Sequence, residues 1–281
     1  MSKYRLLRQR VFESPNFSPQ SLQVPQAATD QQLLTSHSAD YIHRVQTGTL
    51  TSQEIRRIGF PWSDKMVERS RRSAGATIAA ARSALTDGIA ANLAGGTHHA
   101  FADAGEGFCV FNDSAIAIRT MQAEGLIRRA AVIDLDVHQG NGTASILTGD
   151  SSAFTCSVHG VKNFPLRKVP SDLDVSLPDG TKDDEYCAAV EAVFDSLQQD
   201  QSQAGNYDLV IYLAGADPYE KDRLGRLSLS MQGLRRRDEK VIGWCRQHKI
   251  PVAVAMAGGY ANEVEDIVDI HFQTLEVLRQ S

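Results

Sequence analysis

The sequence predicts a single α/β domain, a central parallel β-sheet flanked by helices on both faces, and three observations carry that prediction. Four short runs, residues 130–137, 154–159, 207–214 and 251–257, are nearly continuous in apolar residues and rich in Val, Ile or Ala. Such runs suit strands covered on both faces, as in parallel sheets. Longer amphipathic or Ala-rich segments at 65–93, 112–124, 184–199, 231–248 and 262–279 alternate with them, which is the pattern of βαβ crossovers. No Pro/Ser/Gly-rich linker divides the 281 residues, so one domain over residues 1–281 with one large core is expected.

The remaining segments are read from composition. Residues 1–12 mix Lys3, Arg5, Arg8 and Arg10 with apolar residues, and no apolar stretch of signal-peptide length follows. Residues 16–32 are Gln/Ser/Pro-rich and expected to be irregular. Residues 161–181 form a long polar connection with three prolines, either a rim to a site or a passive surface loop. No stretch reaches the roughly 18–20 apolar residues of a membrane span. The formal charge of −5 is mild and does not suggest a nucleic-acid binder. Cys109, Cys156, Cys187 and Cys245 are widely spaced without a CxxC pair, which argues against a thiolate metal site and for a reduced, cytoplasmic setting.

Ligands bind beyond the carboxyl ends of parallel strands, and polar signatures fall there. They are Asp134-Leu135-Asp136-Val137-His138, the step Ala214 to Asp217, and Gly258-Gly259-Tyr260; a further signature elsewhere, Gly95-Gly96-Thr97-His98-His99, adds two adjacent histidines. Asp136 and His138 are two apart, so on a continuing strand they would point to one side and reach one ion. With Asp217 they offer two carboxylates and an imidazole, a set that suits a divalent metal with an open position for water and substrate. Tyr260 is the expected donor to a developing oxyanion, and His98 and His99 are the candidate bases. The chain reads as a metal-dependent hydrolase.

With these residues assembled, the chain resembles the zinc-dependent histone deacetylase family, in particular its class IV type and bacterial relatives. The resemblance runs from about Leu93 to Tyr260. It rests on residues 95–100, 105–113, 133–142 (IDLDVHQGNG), 214–217, 222–225 and 258–260, in the family's order. It implies the arginase/deacetylase fold, catalytic zinc on Asp136, His138 and Asp217, Tyr260 as oxyanion donor, His99 as general base and acid, and His98 as its electrostatic partner. It further implies that Asp134 bonds His98 and joins Ser157 and the backbone of Asp136, His138 and Val158 around a monovalent cation, typically potassium. Gly107, Phe108, Phe164, Leu224, Gly258 and Gly259 fall where the family lines its acyl-lysine tunnel. Asn141 stands where the larger class has an aspartate, so a less basic His99 is expected. In bacterial relatives an edge strand precedes the stretch that resembles residues 3–8, and its absence here is expected to affect the rim rather than the metal ligands.

Each residue has a plainer reading in isolation. Asp217 could cap a helix, Tyr260 could be a core aromatic, and a His-His pair is usually structural. The company these residues keep decides for the site. His37, His43, His159, His248 and His271 lack such company and are expected to be surface or satisfied core. Arg69 to Arg72 and Arg235-Arg236-Arg237 are expected to be solvated helix faces, and Cys109 and Cys156 inert buried thiols. The expected substrate is an acyl-lysine peptide or protein. The alternatives are an acetylated polyamine or other small acylated amine, a dinuclear manganese ureohydrolase, and a non-catalytic acyl-lysine-binding module.

Overall fold

The computed structural model describes residues 2–280. Six strands, β1 (Ile89–Asn92), β2 (Ala130–Asp134), β3 (Ala153–Gly160), β4 (Leu173–Leu177), β5 (Leu209–Leu213) and β6 (Val252–Ala255), form one sheet in the order β1-β6-β5-β2-β3-β4. Every neighbouring pair is parallel. The helices are α1 (Ser2–Glu13), α2 (Asp30–Leu34), α3 (Ala39–Thr47), α4 (Ser52–Ile58), α5 (Asp64–Asp87), α6 (Asp113–Ala123), α7 (Asn141–Leu147), α8 (Asp183–Ala204), α9 (Met231–Gln247) and α10 (Val264–Gln280).

The predicted class holds because the central strands are apolar on both faces. Ala131, Ile133, Val210, Tyr212, Val252 and Val254 enter a core with Val190, Leu197, Val241 and Ile270 of α8, α9 and α10. The alternate residues Ala130, Val132, Leu209, Ile211 and Ala253 enter a second core with Ile78, Ala81 and Ile116 of α5 and α6. Strand periodicity thus separates one sequence into two cores.

Several boundaries differ from expectation. The run at 130–137 leaves the sheet after Asp134 and bends through Asp136 to His138, because the carboxylates of Asp134 and Asp136 capture the next backbone N–H groups. The segment 65–93 is not one helix. It stops at Asp87, Gly88 caps it in the left-handed region at φ 85°, and residues 89–92 form the edge strand β1. The polar connection 161–181 contains β4, whose Leu173, Val175 and Leu177 are half-buried between exposed Asp174 and Ser176. Residues 2–13 are helical, and three short helices fill 30–58. Capping boxes from Thr29 to Gln32 and Thr51 to Glu54 start α2 and α4.

The chain builds outward from β2 through β3 to β4, then returns to place β5 on the other side of β2. The two neighbours β2 and β5 therefore leave the sheet with their loops diverging. Such a switch point opens a crevice at the carboxyl ends. Asp136 and His138 follow β2, and Asp217 follows β5.

Candidate metal centre and active site

The loop after β2 is shaped by its own acids. Asp134 Oδ1 accepts from Asp136 N at 3.1 Å, and Asp136 Oδ1 accepts from His138 N at 3.0 Å. This replaces the alternation of a continuing strand with a bend, and it still brings Asp136 and His138 together. Among the described residues, Asp136, His138 and Asp217 form a buried group whose ligand atoms all lie within 4.8 Å of one another. His138 Nδ1 is 2.9 Å from Asp136 Oδ1 and 3.3 Å from Asp217 Oδ2. Donors around one tetrahedral zinc with bonds of about 2.0–2.1 Å stand roughly 3.3 Å apart. Asp217 Oδ2 is buried without a hydrogen-bond donor of its own, whereas Asp217 Oδ1 accepts from Val137 N at 2.9 Å and Asp136 Oδ2 from Gly258 N at 2.8 Å. The residues therefore fit a divalent ion, with both oxygens of Asp136 and Oδ1 of Asp217 fixed by backbone N–H groups and Asp217 Oδ2 left facing His138.

The charges at this cluster point the same way. Burial raises Asp217, with Asp136 beside it, to about 6. Burial also opposes charge on Asp136, but His98 and His138 hold its carboxyl well below the usual range. For His138, burial is outweighed by Asp136 and Asp217, which push it up to about 10. Two crowded carboxylates favour a positive charge between them, and a metal ion is the stronger claimant.

The two histidines sit on the loop after β1, a loop clamped by the N-terminus of α6. Asp113 accepts from Gly96 N at 2.9 Å, Thr97 N at 2.8 Å and Thr77 Oγ1 at 2.6 Å. Asn112 donates to Ala100 O at 3.1 Å. The rings of His98 and His99 are 4.1 Å apart, centroid to centroid. His98 Nδ1 donates to Asp134 Oδ2 at 2.6 Å, and His99 Nδ1 lies 2.7 Å from Asn141 Oδ1. Their surroundings drive them apart. Burial opposes protonation of His98, yet Asp134 and Asp136 overcome it and raise its pKa to about 9. Burial, with His98 and His138 nearby, lowers His99 well below the ordinary imidazole value. Burial and the neighbouring acids thus favour a proton between His98 and Asp134, whose own pKa burial raises, and disfavour one on His99.

Tyr260 ends the turn after β6 and is half-buried. Its backbone is held by residues of the 222–225 stretch, with Asp222 Oδ2 accepting from Tyr260 N at 2.5 Å and Arg223 Nε donating to Tyr260 O at 2.9 Å. Lys3, on α1, has a part in this turn that its place in a basic terminal stretch did not signal. It is buried, its Nζ donates to Ala257 O at 3.3 Å and Gly259 O at 3.1 Å, and it lies 5.2 Å from the centroid of the Tyr260 ring.

These groups share a cavity of about 1680 Å³ with Gly107, Phe108, Phe164, Leu224 and Gly258. Phe164 meets the His99 ring edge-on at 4.9 Å, and Phe108 lies 6.0 Å from Tyr260. Phe108, Phe164 and Leu224 are partly exposed, at 43%, 39% and 46%, so the mouth is apolar. Gly107 stands so close that a Cβ there would come within 2.6 Å of the His99 ring, and Gly259, at φ 145°, completes the turn to Tyr260. Asn163 ties two rim loops together, donating to Leu224 O at 2.7 Å and accepting from Arg226 N at 3.2 Å. Asp134 and Ser157 are register partners on β2 and β3, with Val158 next along β3.

The remaining expectations divide. His159 is a satisfied core residue, 3.0 Å from both Ser157 Oγ and Ser176 Oγ, and His37 accepts from Asn112 N. His271 departs from expectation, being buried with neither ring nitrogen hydrogen-bonded. Arg237 departs further, since it is fully buried while Arg235 and Arg236 pair with Glu239 and Asp184 on the surface. The four cysteines are free and buried.

Comparison with known proteins assigns the class. A sequence model of the histone deacetylase domain matches residues 1–275. An uncharacterized protein of the cyanobacterium Picosynechococcus is 44% identical over 271 residues, covering 96% of this chain and 89% of that one. Histone deacetylase 2 of Arabidopsis thaliana is 31% identical over 245 residues, and the match takes in 84% of this chain but 62% of the plant protein. The crystal structure of an HDAC homolog from Aquifex aeolicus superposes with a TM-score of 0.79 at 22% identity, over 96% of this chain and 76% of that one. That likeness shows the fold. The fold and site define an α/β protein with a buried Asp–His–Asp cluster suited to a metal. The chain belongs to the histone deacetylase family, whose members are hydrolases acting on amides.

Proposed function

We propose that the protein is a zinc-dependent deacylase that hydrolyses the amide of N-acyl-lysine to free lysine and a carboxylate. The observation that carries this reading is the meeting, in one apolar-mouthed cavity, of a metal-competent Asp136–His138–Asp217 cluster, a neutral His99 and Tyr260. Zinc held by the three ligands would supply Lewis-acid polarisation of the substrate carbonyl and acidification of water. His99 takes the proton of the attacking water and returns it to the departing amine. Its Nδ1–H is engaged by Asn141 Oδ1, so Nε2 is the free basic nitrogen. Tyr260 Oη donates to the carbonyl oxygen as it becomes anionic. His98, charged beside Asp134, keeps His99 from holding its proton before the amine needs it.

The same reading places a structural potassium ion at Asp134, Ser157 and Val158, with the carbonyls of Asp136 and His138. The support is the burial of Asp134 beside Ser157. Four free cysteines fit a reducing cytoplasm, and among the described residues no helix is long and apolar enough to cross a membrane. The apolar mouth suits the stem of an acylated lysine on a peptide or protein, and a small acylated amine would use the same chemistry. The test is release of free lysine from acetyl-, butyryl- and myristoyl-lysine peptides, with an acetylated polyamine alongside. Turnover is expected to vanish on chelation and to return with one zinc per chain. Folded, zinc-loaded protein that cleaves none of the four would overturn the reading.

Asn141→Asp gives a second expected result. A carboxylate beside His99 favours the imidazolium and raises its pKa. The base must be unprotonated to act, so the acidic limb of the kcat/KM profile moves to higher pH in the variant. Superimposable limbs in the two proteins would remove Asn141 from the mechanism.

A further inference from the structure

Arg237 is fully buried on α9, on the side of the sheet opposite α5 and α6, and its contacts lead back to the metal cluster. Nη1 donates to Gly215 O at 2.5 Å and reaches Leu135 O at 3.5 Å. Leu135 immediately precedes the ligand Asp136, and Gly215 lies two residues before the ligand Asp217. One nitrogen therefore spans the two loops that diverge from β2 and β5. Tyr186 Oη also donates to Leu135 O, at 3.3 Å.

Gly215 itself lies between the ligands. A Cβ on it would come within 2.8 Å of Asp136 Oδ2 and 2.9 Å of Asp217 Oδ1, so this stretch of backbone packs directly against both carboxylates. The guanidinium that holds its carbonyl is aligned in turn by Asp238, with Nε and Nη2 at 2.9 and 2.8 Å from Oδ1. Asp238 accepts from Tyr212 Oη on β5 at 2.5 Å and from Thr274 Oγ1 on α10 at 2.6 Å. A buried ion pair is often no more stabilising than a well-packed apolar pair of similar volume. Stability alone does not account for this one.

We propose that Arg237, aligned by Asp238, is a positioning residue for the metal centre, clamping the Leu135 and Gly215 carbonyls so that Asp136 and Asp217 keep the spacing one divalent ion requires. The inference rests on the metal centre proposed above. Groups that orient ligands from outside the first coordination sphere commonly set metal affinity by about 10–100-fold.

The test is cobalt(II) binding to the whole chain, read by competition with a chromophoric chelator and by the visible absorption of the bound ion. Arg237→Met/Asp238→Leu replaces the ion pair with an apolar pair, and Arg237→Lys keeps the charge but offers one nitrogen in place of a fork. The double variant is expected to unfold cooperatively, to bind cobalt about 10–100-fold more weakly and to show shifted bands. The lysine variant should fall between it and wild type. A folded double variant with wild-type affinity and bands overturns the inference. If the double variant does not fold, wild-type affinity and bands in Arg237→Lys overturn it. Wild-type protein that binds no cobalt would instead bring down the metal centre, and this inference with it.

Discussion

Tyr260→Phe lowers kcat by about 10²–10³-fold, the usual loss when one oxyanion donor is removed, and leaves KM and Tm near wild type. The split follows from where the residue is held. Asp222 and Arg223 grip the Tyr260 backbone, and the ring keeps its place against Phe108 and Lys3 without the hydroxyl. What is lost is a contact made only as the carbonyl oxygen gains charge, which depresses kcat and kcat/KM together. Steady-state kinetics and a thermal melt check this, and a kcat within tenfold of wild type would remove the phenol from the chemistry.

Gly258→Ala has an effect of similar size by a different route. A methyl group at this position would overlap Asp217 Oδ2 and crowd Asp136 Oδ2, while Gly258 N must still donate to Asp136 Oδ2. The ligands themselves have to shift. Zinc affinity is expected to fall by about 100-fold or more, beyond the usual range for groups around the first coordination sphere. The variant should lose turnover at limiting zinc. Chelator competition measures the first and the deacylase assay the second. Wild-type affinity in the variant would mean that a methyl group at 258 does not displace Asp136 and Asp217.

The strands around the switch point were legible because burial on both faces forces unbroken apolar runs, as in Leu209–Leu213 and Ala130–Asp134. The edge strands were not. Ile89–Asn92 follows Ala-rich α5 so closely that only the αL glycine at 88 marks the change. Leu173–Leu177 has the alternation of a strand, but it lies within a polar, proline-bearing connection. The capping boxes of α2 and α4 are written in the sequence as Thr29 to Gln32 and Thr51 to Glu54. In the site, the metal ligands and Tyr260 stand out because their signatures follow legible strands, whereas His98 and His99 stand out only as an adjacent pair in a glycine-rich stretch. Lys3 and Arg237 do not, since their work is done on backbone carbonyls that are 254 and 22 positions away for Ala257 and Gly215, and no local pattern encodes such a partner.

The contacts of the site also bear on how the chain is made. Lys3 reaches Ala257 and Gly259, His98 reaches Asp134, Val137 reaches Asp217, and Gly258 reaches back to Asp136. Only a fragment that spans residues 3 to 259 contains all these pieces. A growing polypeptide carries the early histidines well before the turn at 258–259 that completes the cluster. An ion held by Asp136, His138 and Asp217 would therefore gain its full surroundings only once residues 258 and 259 had been made.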